Sequence, residues 1–281
     1  MTQDDIRIHY ESLWKATADG ATSEAGLAYS TSVDDAVLYP IFERLINDLR
    51  FKVTGGRVLD VGSGSGRWIR FLLERHAPEV IVGLDFAISA IELLERWAPS
   101  TPRTKVVFQQ ADITSESLTL REPGPFDLIN IGNVLFHIPE SDKFVAALRN
   151  MAALLAPGGR IVTTEYMPRA SMRTEWMMVR SRYEFQAIAE SVGLQIVDIR
   201  AGAFFSNDPM GIDGAEHNYR DLFCQVRAAQ KMLMATKSDP KTLKFFHEMF
   251  ITIERATMAF CAERIAPVDM PSQKLVVLGR A

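Results

Sequence analysis

The 281-residue sequence predicts an α/β fold in which helices cover both faces of a mostly parallel sheet. Three observations carry that prediction. Between residues 57 and 199, short runs rich in Val, Ile and Leu alternate with segments of helical periodicity. A glycine-rich turn follows the first run directly. Acidic residues stand at the ends of the first three runs: Asp60, Asp85 and Asp112.

In chain order, two helical segments come first. Ile6, Tyr10, Leu13 and Trp14 fall on one face of the first. Asp34 or Asp35 caps the second, which carries Val37, Leu38, Ile41, Phe42, Leu45, Ile46 and Leu49. Between them, residues 19–32 are rich in Gly, Ala, Ser and Thr and read as a loop. Strands are expected at 58–61, 80–84, 106–109, 128–131, 160–164 and 195–199, with helices opening near Gly66, Ser89, Ser141 and Arg180. A last strand is expected at 274–278.

Ahead of that strand, 202–272 breaks the alternation. A loop at 204–211 leads into two amphipathic helices. Tyr219, Leu222, Phe223, Val226, Leu233 and Met234 share a face in the first, and Phe246, Met249, Phe250, Ile253, Thr257, Phe260 and Cys261 in the second. Pro240, with Ser238 and Asp239 before it, separates and caps them. The division expected is an N-terminal helical cap (1–55), a core (56–200 and 273–281) and a helical insertion (201–272) that serves as a lid or a dimer interface. The Met and Phe stripes of the insertion read as core, as a substrate wall or as that interface.

Composition narrows the function classes. With 47% hydrophobic and 23% charged residues, the chain has the apolar content for a sizeable core. A net charge of −4 argues against a nucleic-acid partner, which requires a basic face to release counterions. Cys224 and Cys261 lie in apolar helical patterns with no His or Cys at metal-ligand spacing. They read as buried thiols of a reducing compartment, and no metal is expected. No signal peptide is evident and no run approaches the ~20 apolar residues of a membrane span, so the expected location is cytoplasmic, with no membrane partner.

The chemistry centres on Val58-Leu59-Asp60-Val61-Gly62-Ser63-Gly64-Ser65-Gly66-Arg67. Glycines suit a tight turn with a ligand lying against bare backbone. A dinucleotide site would show G-x-G-x-x-G around a pyrophosphate. Here an acid precedes D-x-G-x-G-x-G glycines and would repel a pyrophosphate, whereas it suits a ligand bearing an ammonium group. Asp85 ends the next strand about 25 residues on, where a carboxylate accepts both hydroxyls of a ribose; the other reading is a cap for the helix near Ser89. Asp112 follows the third strand and accepts an adenine amino group with Ile113 over the ring, or else closes a turn.

With these residues in place, the chain resembles the class I S-adenosylmethionine-dependent methyltransferases from about residue 57 to 199. The glycine motif is similar to that family's first motif, and Asp85 and Asp112 fall on its ribose and adenine positions. Phe126-Asp127-Leu128-Ile129 followed by Asn133-Val134-Leu135-Phe136-His137-Ile138-Pro139 resembles its fourth-strand motif. Leu154-Leu155-Ala156-Pro157-Gly158-Gly159-Arg160 resembles the turn before its fifth strand, and 184–197 its helix ending in a glycine before strand six. The resemblance implies a Rossmann-like seven-stranded sheet, with 274–278 as an antiparallel seventh strand. It implies S-adenosylmethionine as cofactor and S-adenosylhomocysteine as product. The cofactor-binding candidates are Trp14, Asp60, Gly62, Ser63, Gly64, Arg67, Asp85, Phe86, Asp112, Ile113, Gly132 and Asn133. The family's usual short link between strands six and seven is replaced here by the insertion, so nothing carries over to that region.

Methyl transfer from a sulfonium is an in-line displacement in which positioning supplies up to ~7–11 kcal/mol. A base near a hydroxyl acceptor adds ~10²–10⁴-fold. The catalytic candidates are His137, Glu165 at the end of the fifth strand, and His217, which with Glu216 opens the inserted helix; each also has a purely structural reading. Arg180 reads as a ligand for an anionic substrate or as a surface ion pair. Tyr10 and Trp14 either close over the sulfonium or staple the first helix to the core. The expected acceptor is a small molecule methylated on oxygen, such as a sugar, a glycan end or a natural-product hydroxyl, with methylation at N or C as the alternative. Two other classes stay open: a nicotinamide-dependent oxidoreductase, and a catalytically silent methyltransferase-like scaffold. A homodimer through the insertion is the partner expectation.

Overall fold

The computed structural model describes residues 2–18, 24–97, 103–173, 177–202, 239–269 and 273–281, together with positions 225, 228, 229 and 232. Strands form where successive apolar residues are buried on opposite faces. Val58 and Leu59, neighbours in β1 (Arg57–Val61), are both fully buried, and they join two different core clusters. The same alternation runs through β2 (Val80–Asp85), β4 (Phe126–Ile131) and β5 (Leu155–Glu165). β3 (Lys105–Gln110) lies at one edge of the sheet; β8 (Leu194–Ala201) lies at the other, next to β9 (Lys274–Arg280).

The strand order is β3-β2-β1-β4-β5-β9-β8. β1 to β5 pair in parallel, and β9 runs antiparallel to both β5 and β8. The predicted strands therefore extend by a residue or more at most ends, and β5 begins five residues early. A small hairpin not expected from the sequence, β6 (Met172–Arg173) and β7 (Met178–Val179), sits between β5 and the next helix.

Helices cover both faces. On one face lie α2 (Glu24–Leu49), α3 (Arg67–His76) and α4 (Ile88–Trp97), contributing Leu38, Phe42, Leu45, Ile69, Leu72 and Leu94 to one core cluster. On the other lie α5 (Ser141–Leu154) and α6 (Arg182–Ser191), contributing Phe144, Leu148, Met151 and Phe185. Ser181 caps α6 by accepting the Glu184 N–H. The N-terminal helix α1 (Gln3–Ala18) packs against α4 and crosses the carboxyl ends of the strands.

Two helical expectations change. The second helix does not start at Asp34 or Asp35; it is continuous from Glu24. Weak helix formers continue a helix when tertiary packing anchors it, and Leu38, Phe42 and Leu45 are fully buried. Pro40 lies inside this helix and has no N–H for the Ala36 carbonyl. That carbonyl accepts instead from the Arg255 guanidinium at 2.9 Å. Arg255 belongs to α7 (Pro240–Ala262), whose N-terminus Asp239 caps by accepting the Lys241 and Thr242 N–H groups. α7 packs against α2 with most of the predicted face inward: Cys261 is buried and Phe246, Met249, Phe250 and Thr257 are half-buried, whereas Ile253 and Phe260 are 44% and 60% exposed and Glu254 is buried instead. Residues 203–224, including the 204–211 loop, Glu216, His217, Tyr219 and Cys224, lie outside the described residues, as does most of the first predicted insertion helix. No helix among the described residues is long and apolar enough to cross a membrane.

Candidate functional site

The strand order places the site. From β1 the chain winds outward to β3, then returns to β4 on the other side of β1, so the loops after β1 and β4 diverge and leave a crevice at the carboxyl edge. The glycine turn forms one wall. The Gly62 and Ser63 N–H groups both donate to the Leu84 carbonyl, at 2.7 and 2.9 Å, and the Ser63 hydroxyl donates to the Asp60 carbonyl. Gly62 and Gly64 have φ of +69° and +50°, a region that costs other residues energy. A side chain would also collide there: a Cβ on Gly62 falls 2.3 Å from Val134 Cγ2, and one on Gly64 falls 2.6 Å from the Trp14 ring. Arg67 opens α3 behind the turn, its guanidinium over the Trp68 ring.

The three carboxylates line up along the edge, each in a different state. Asp60 Oδ1 accepts from the Asn130 amide at 2.6 Å, while Oδ2 is buried and has no hydrogen-bond partner among the described residues. Burial pushes this carboxyl up to about 6, against the pull of Asn130, Ser63 and the Arg67 charge. Asp85 accepts the Gly64 N–H on Oδ2 and the Ala87 N–H on Oδ1, both at 2.9 Å. Its cap-like role ahead of α4 is thus realised, and it also ties down the glycine turn. Burial raises it to about 6 as well. Asp112 accepts from the Thr114 N–H and hydroxyl and pairs with the guanidinium of Arg7. Ile113 beside it is buried, and Phe86 after β2 is half-buried.

One face of α1 closes this edge. Arg7, Tyr10, Glu11 and Trp14 stand at i, i+3, i+4 and i+7, which puts them in one stripe. Arg7 meets Asp112, the Tyr10 hydroxyl meets His137 Nε2 at 2.8 Å, Glu11 accepts from Ser89, and Trp14 lies against Gly64. Tyr10 also sits edge-on to Phe86. Burial and the nearby Asp85 charge push its hydroxyl up to about 12, so it stays protonated beside His137 Nε2. Between α1 and the strand ends a cavity of 30 Å³ remains, lined by Ile6, Gly62, Asp85, Asp112, Ile113 and His137 among others.

The other rim follows β4 and β5. Gly132 lies against the Trp68 indole nitrogen. Asn133, at φ +60°, donates its N–H to the Thr164 hydroxyl and accepts on Oδ1 from that hydroxyl and from Gln273. His137 ends a short 3-10 turn (Leu135–His137). Glu165 is buried at the end of β5, where burial raises its carboxyl to about 8. The Thr163 hydroxyl donates to its Oε1 at 3.1 Å, which pulls against that rise, and also lies 3.0 Å from the Ile131 carbonyl. Phe136, Tyr166, Met177 and Val179 cluster nearby.

Arg180 fits neither reading made from the sequence. Its side chain is buried, donates to the Ile138 carbonyl at 3.0 Å, lies over the Phe144 ring and reaches Glu184 at 3.6 Å. It is an internal strut, because a cation stacked on an aromatic ring and bonded to carbonyls tolerates burial. The sequence reading missed Arg7, Asn130, Trp68 and Gln273. Arg7 had a signal in the helical stripe with Tyr10 and Trp14; the others are set by distant packing alone. Among the described residues no group of three His, Cys, Asp or Glu side chains is placed to hold a metal.

Comparison with known proteins bears on this edge. Residues 58–159 match the family model of a methyltransferase domain. The chain is similar to the demethylmenaquinone methyltransferase of Thermus thermophilus, 33% identical over 122 residues, covering 43% of this chain and 52% of the relative. It is similar to the ubiquinone biosynthesis O-methyltransferase of Albidiferax ferrireducens, 31% identical over 121 residues, covering 41% and 45%. The chain spans about half the length of the curated relatives it matches. Among solved structures, a candidate sarcosine dimethylglycine methyltransferase of Galdieria sulphuraria superposes with a TM-score of 0.55 at 15% identity, covering 86% of this chain and 84% of that one. The [4+2]-cyclase SpnF superposes at 0.50 and 18%, covering 84% and 79%. These likenesses concern the fold, which hosts more than one chemistry. The glycine turn and the strand-end acids Asp60, Asp85 and Asp112 lie inside the matched segment, so residues 58–159 are similar to a methyltransferase domain over the part that forms this edge.

Proposed function

We propose that this chain transfers a methyl group from S-adenosylmethionine to a small-molecule acceptor, leaving S-adenosylhomocysteine. The observation that carries the reading is Asp60, whose buried Oδ2 beside the glycine turn has no partner among the described residues. A buried carboxylate oxygen is costly without a donor, and an ammonium group is the donor that suits it. Asp85 and Asp112 follow along the same edge, in the places a ribose and an adenine would take. S-adenosylmethionine, when bound, supplies a methyl group on a sulfonium. The chain's own residues position it: Gly62, Ser63, Gly64 and Arg67 as the turn, Phe86 and Ile113 beside the base, and Gly132 and Asn133 on the opposite rim.

The acceptor side is the rim after β4 and β5, where Phe136, Tyr166, Met177 and Val179 offer an apolar wall. An oxygen acceptor, such as a sugar, a glycan end or a natural-product hydroxyl, is supported by relatives named as O-methyltransferases of ubiquinone biosynthesis. His137 is the base candidate on this rim, beside the Tyr10 hydroxyl. Glu165 already holds a proton at neutral pH, which suits it to donating a hydrogen bond rather than to abstracting a proton. His217 is the base candidate within the insertion. The reading includes the helical cap (1–55), core (56–200 and 273–281) and insertion (201–272), with the insertion as lid or homodimer surface and a location in the cytoplasm.

The test is calorimetric titration with S-adenosylmethionine, S-adenosylhomocysteine and NAD in parallel, on the wild type and on Asp85→Asn. Both adenosyl ligands should bind and NAD should not. Affinity should weaken as pH falls through about 6, where Asp60 and Asp85 take up protons, and the variant should bind at least ~10-fold more weakly, the effect of one charge-assisted hydrogen bond. Failure of a folded sample to bind either adenosyl ligand, or binding of NAD alone, overturns the proposal.

A further inference from the structure

We infer that α1 stands on the ground an adenosyl ligand needs, that it lifts when such a ligand enters, and that Arg7 is the ligand's direct competitor for Asp112. This rests on the cofactor reading above.

Length and order carry the inference. From Arg7 to Trp14 is seven residues, or ~10 Å of helix. The carboxyl ends of β1, β2 and β3 are spaced ~4.8 Å apart, so β3 to β1 is also ~10 Å. The helix crosses them in register: Arg7 at Asp112 after β3, Tyr10 beside Phe86 after β2, and Trp14 on Gly64 after β1. An extended adenosyl amino acid, adenine at Asp112 and ammonium at Asp60, would lie along this same line. Both cannot hold it at once. The 30 Å³ left between Ile6, Asp85, Asp112 and Ile113 compares with ~300–1,000 Å³ for a small-molecule site.

The chemistry of each contact points the same way. The guanidinium of Arg7 gives Asp112 a donor at the position where an adenine amino group would give one, and a carboxylate already paired must release that partner first. The ring of Trp14 fills the space over Gly64 that the bare backbone of the turn leaves open. Among the described residues of α1, Ile6 is the one buried large apolar side chain and Ile8 is 68% exposed, and along the edge the helix is held by Arg7, Tyr10, Glu11 and Trp14. Arg7 and Asp112 are 42% and 20% exposed, and an ion pair so placed is worth a factor of ~1.5–5 in an equilibrium.

The experiment pairs hydrogen exchange with calorimetry on the full chain, using S-adenosylhomocysteine as the probe. On binding, amides of 3–18 should exchange faster while those of 60–67 and 85–87 slow. Arg7→Ala should bind the probe ~2- to 5-fold more tightly than the wild type, and Arg7→Lys, which keeps the charge, should stay near it. Binding with exchange in 3–18 unchanged or slowed, or an Arg7→Ala affinity equal to or below that of the wild type, overturns the inference while leaving the cofactor reading standing. Absence of binding to the wild type, to Arg7→Ala and to Trp14→Ala together overturns both. Binding that appears only in the α1 variants supports the inference in its strongest form.

Discussion

Glu165 and Asp60 are both carboxyls buried at strand ends, and their neighbours give them different work. Glu165 keeps its proton up to about 8 beside the Thr163 hydroxyl, whereas Asp60 has Asn130 on one oxygen and, among the described residues, no partner on the other. For Glu165 the consequence is a pH-dependent stability. Between the ordinary 4.5 and about 8, the native state holds a proton that the unfolded chain has lost, so stability falls as pH rises. Asp60 and Asp85 act with the same sign only up to about 6, and Lys274, pushed down to about 7 by burial, acts with the opposite sign above that. The slope between pH 6 and 7 therefore reports Glu165, and Glu165→Gln should flatten it. Urea unfolding at several pH values measures this, and an unchanged slope would rule the assignment out. Asp60 as a site residue was legible from its place before the glycines. Its lone oxygen was not, because that depends on Asn130, 70 residues away.

α1 was legible as a helix with an aromatic face, since periodicity is a local property. What that face covers was left open between stapling and cofactor closure, and the structure makes it an element laid across three strand ends. Gly64 is where helix and turn meet. Gly64→Ala adds a Cβ 2.6 Å from the Trp14 ring at a residue with φ of +50°. It should destabilise the fold by ~1–3 kcal/mol, the usual cost of a strained αL residue. In a double-mutant cycle with Trp14→Ala, part of that cost should disappear, because the collision is removed while the backbone strain remains. Fully additive effects would place Trp14 away from the turn. α7 shows the reverse case: its apolar stripe was read correctly as helical, yet Ile253 and Phe260 are exposed, while Arg255 of the same helix completes the bond that Pro40 denies to Ala36.

Across the whole molecule, the sheet is closed by its last strand. β9 lies between β5 and β8, so the two halves of the antiparallel edge meet only through residues 274–280. Leu278 is fully buried and pairs with Ile161 on one side and Ile196 on the other. Leu278→Ala should cost ~2–5 kcal/mol, the range for a large-to-small change in a packed core, measured by urea unfolding. A cost below ~1 kcal/mol would show that β9 contributes little to the core. By itself the sequence determined the strands, most helices, their two-sided burial and the acids at the carboxyl edge, because periods of two and 3.6 residues and turn glycines are written within a few positions. The tertiary structure alone decided that Arg7 reaches Asp112, that Tyr10 reaches His137, that Glu165 keeps its proton and which side chains of α7 are buried. Arg7 and Asp112 are 105 residues apart and Tyr10 and His137 are 127 apart. Contacts of that range are set by how the elements pack, and no local pattern records them.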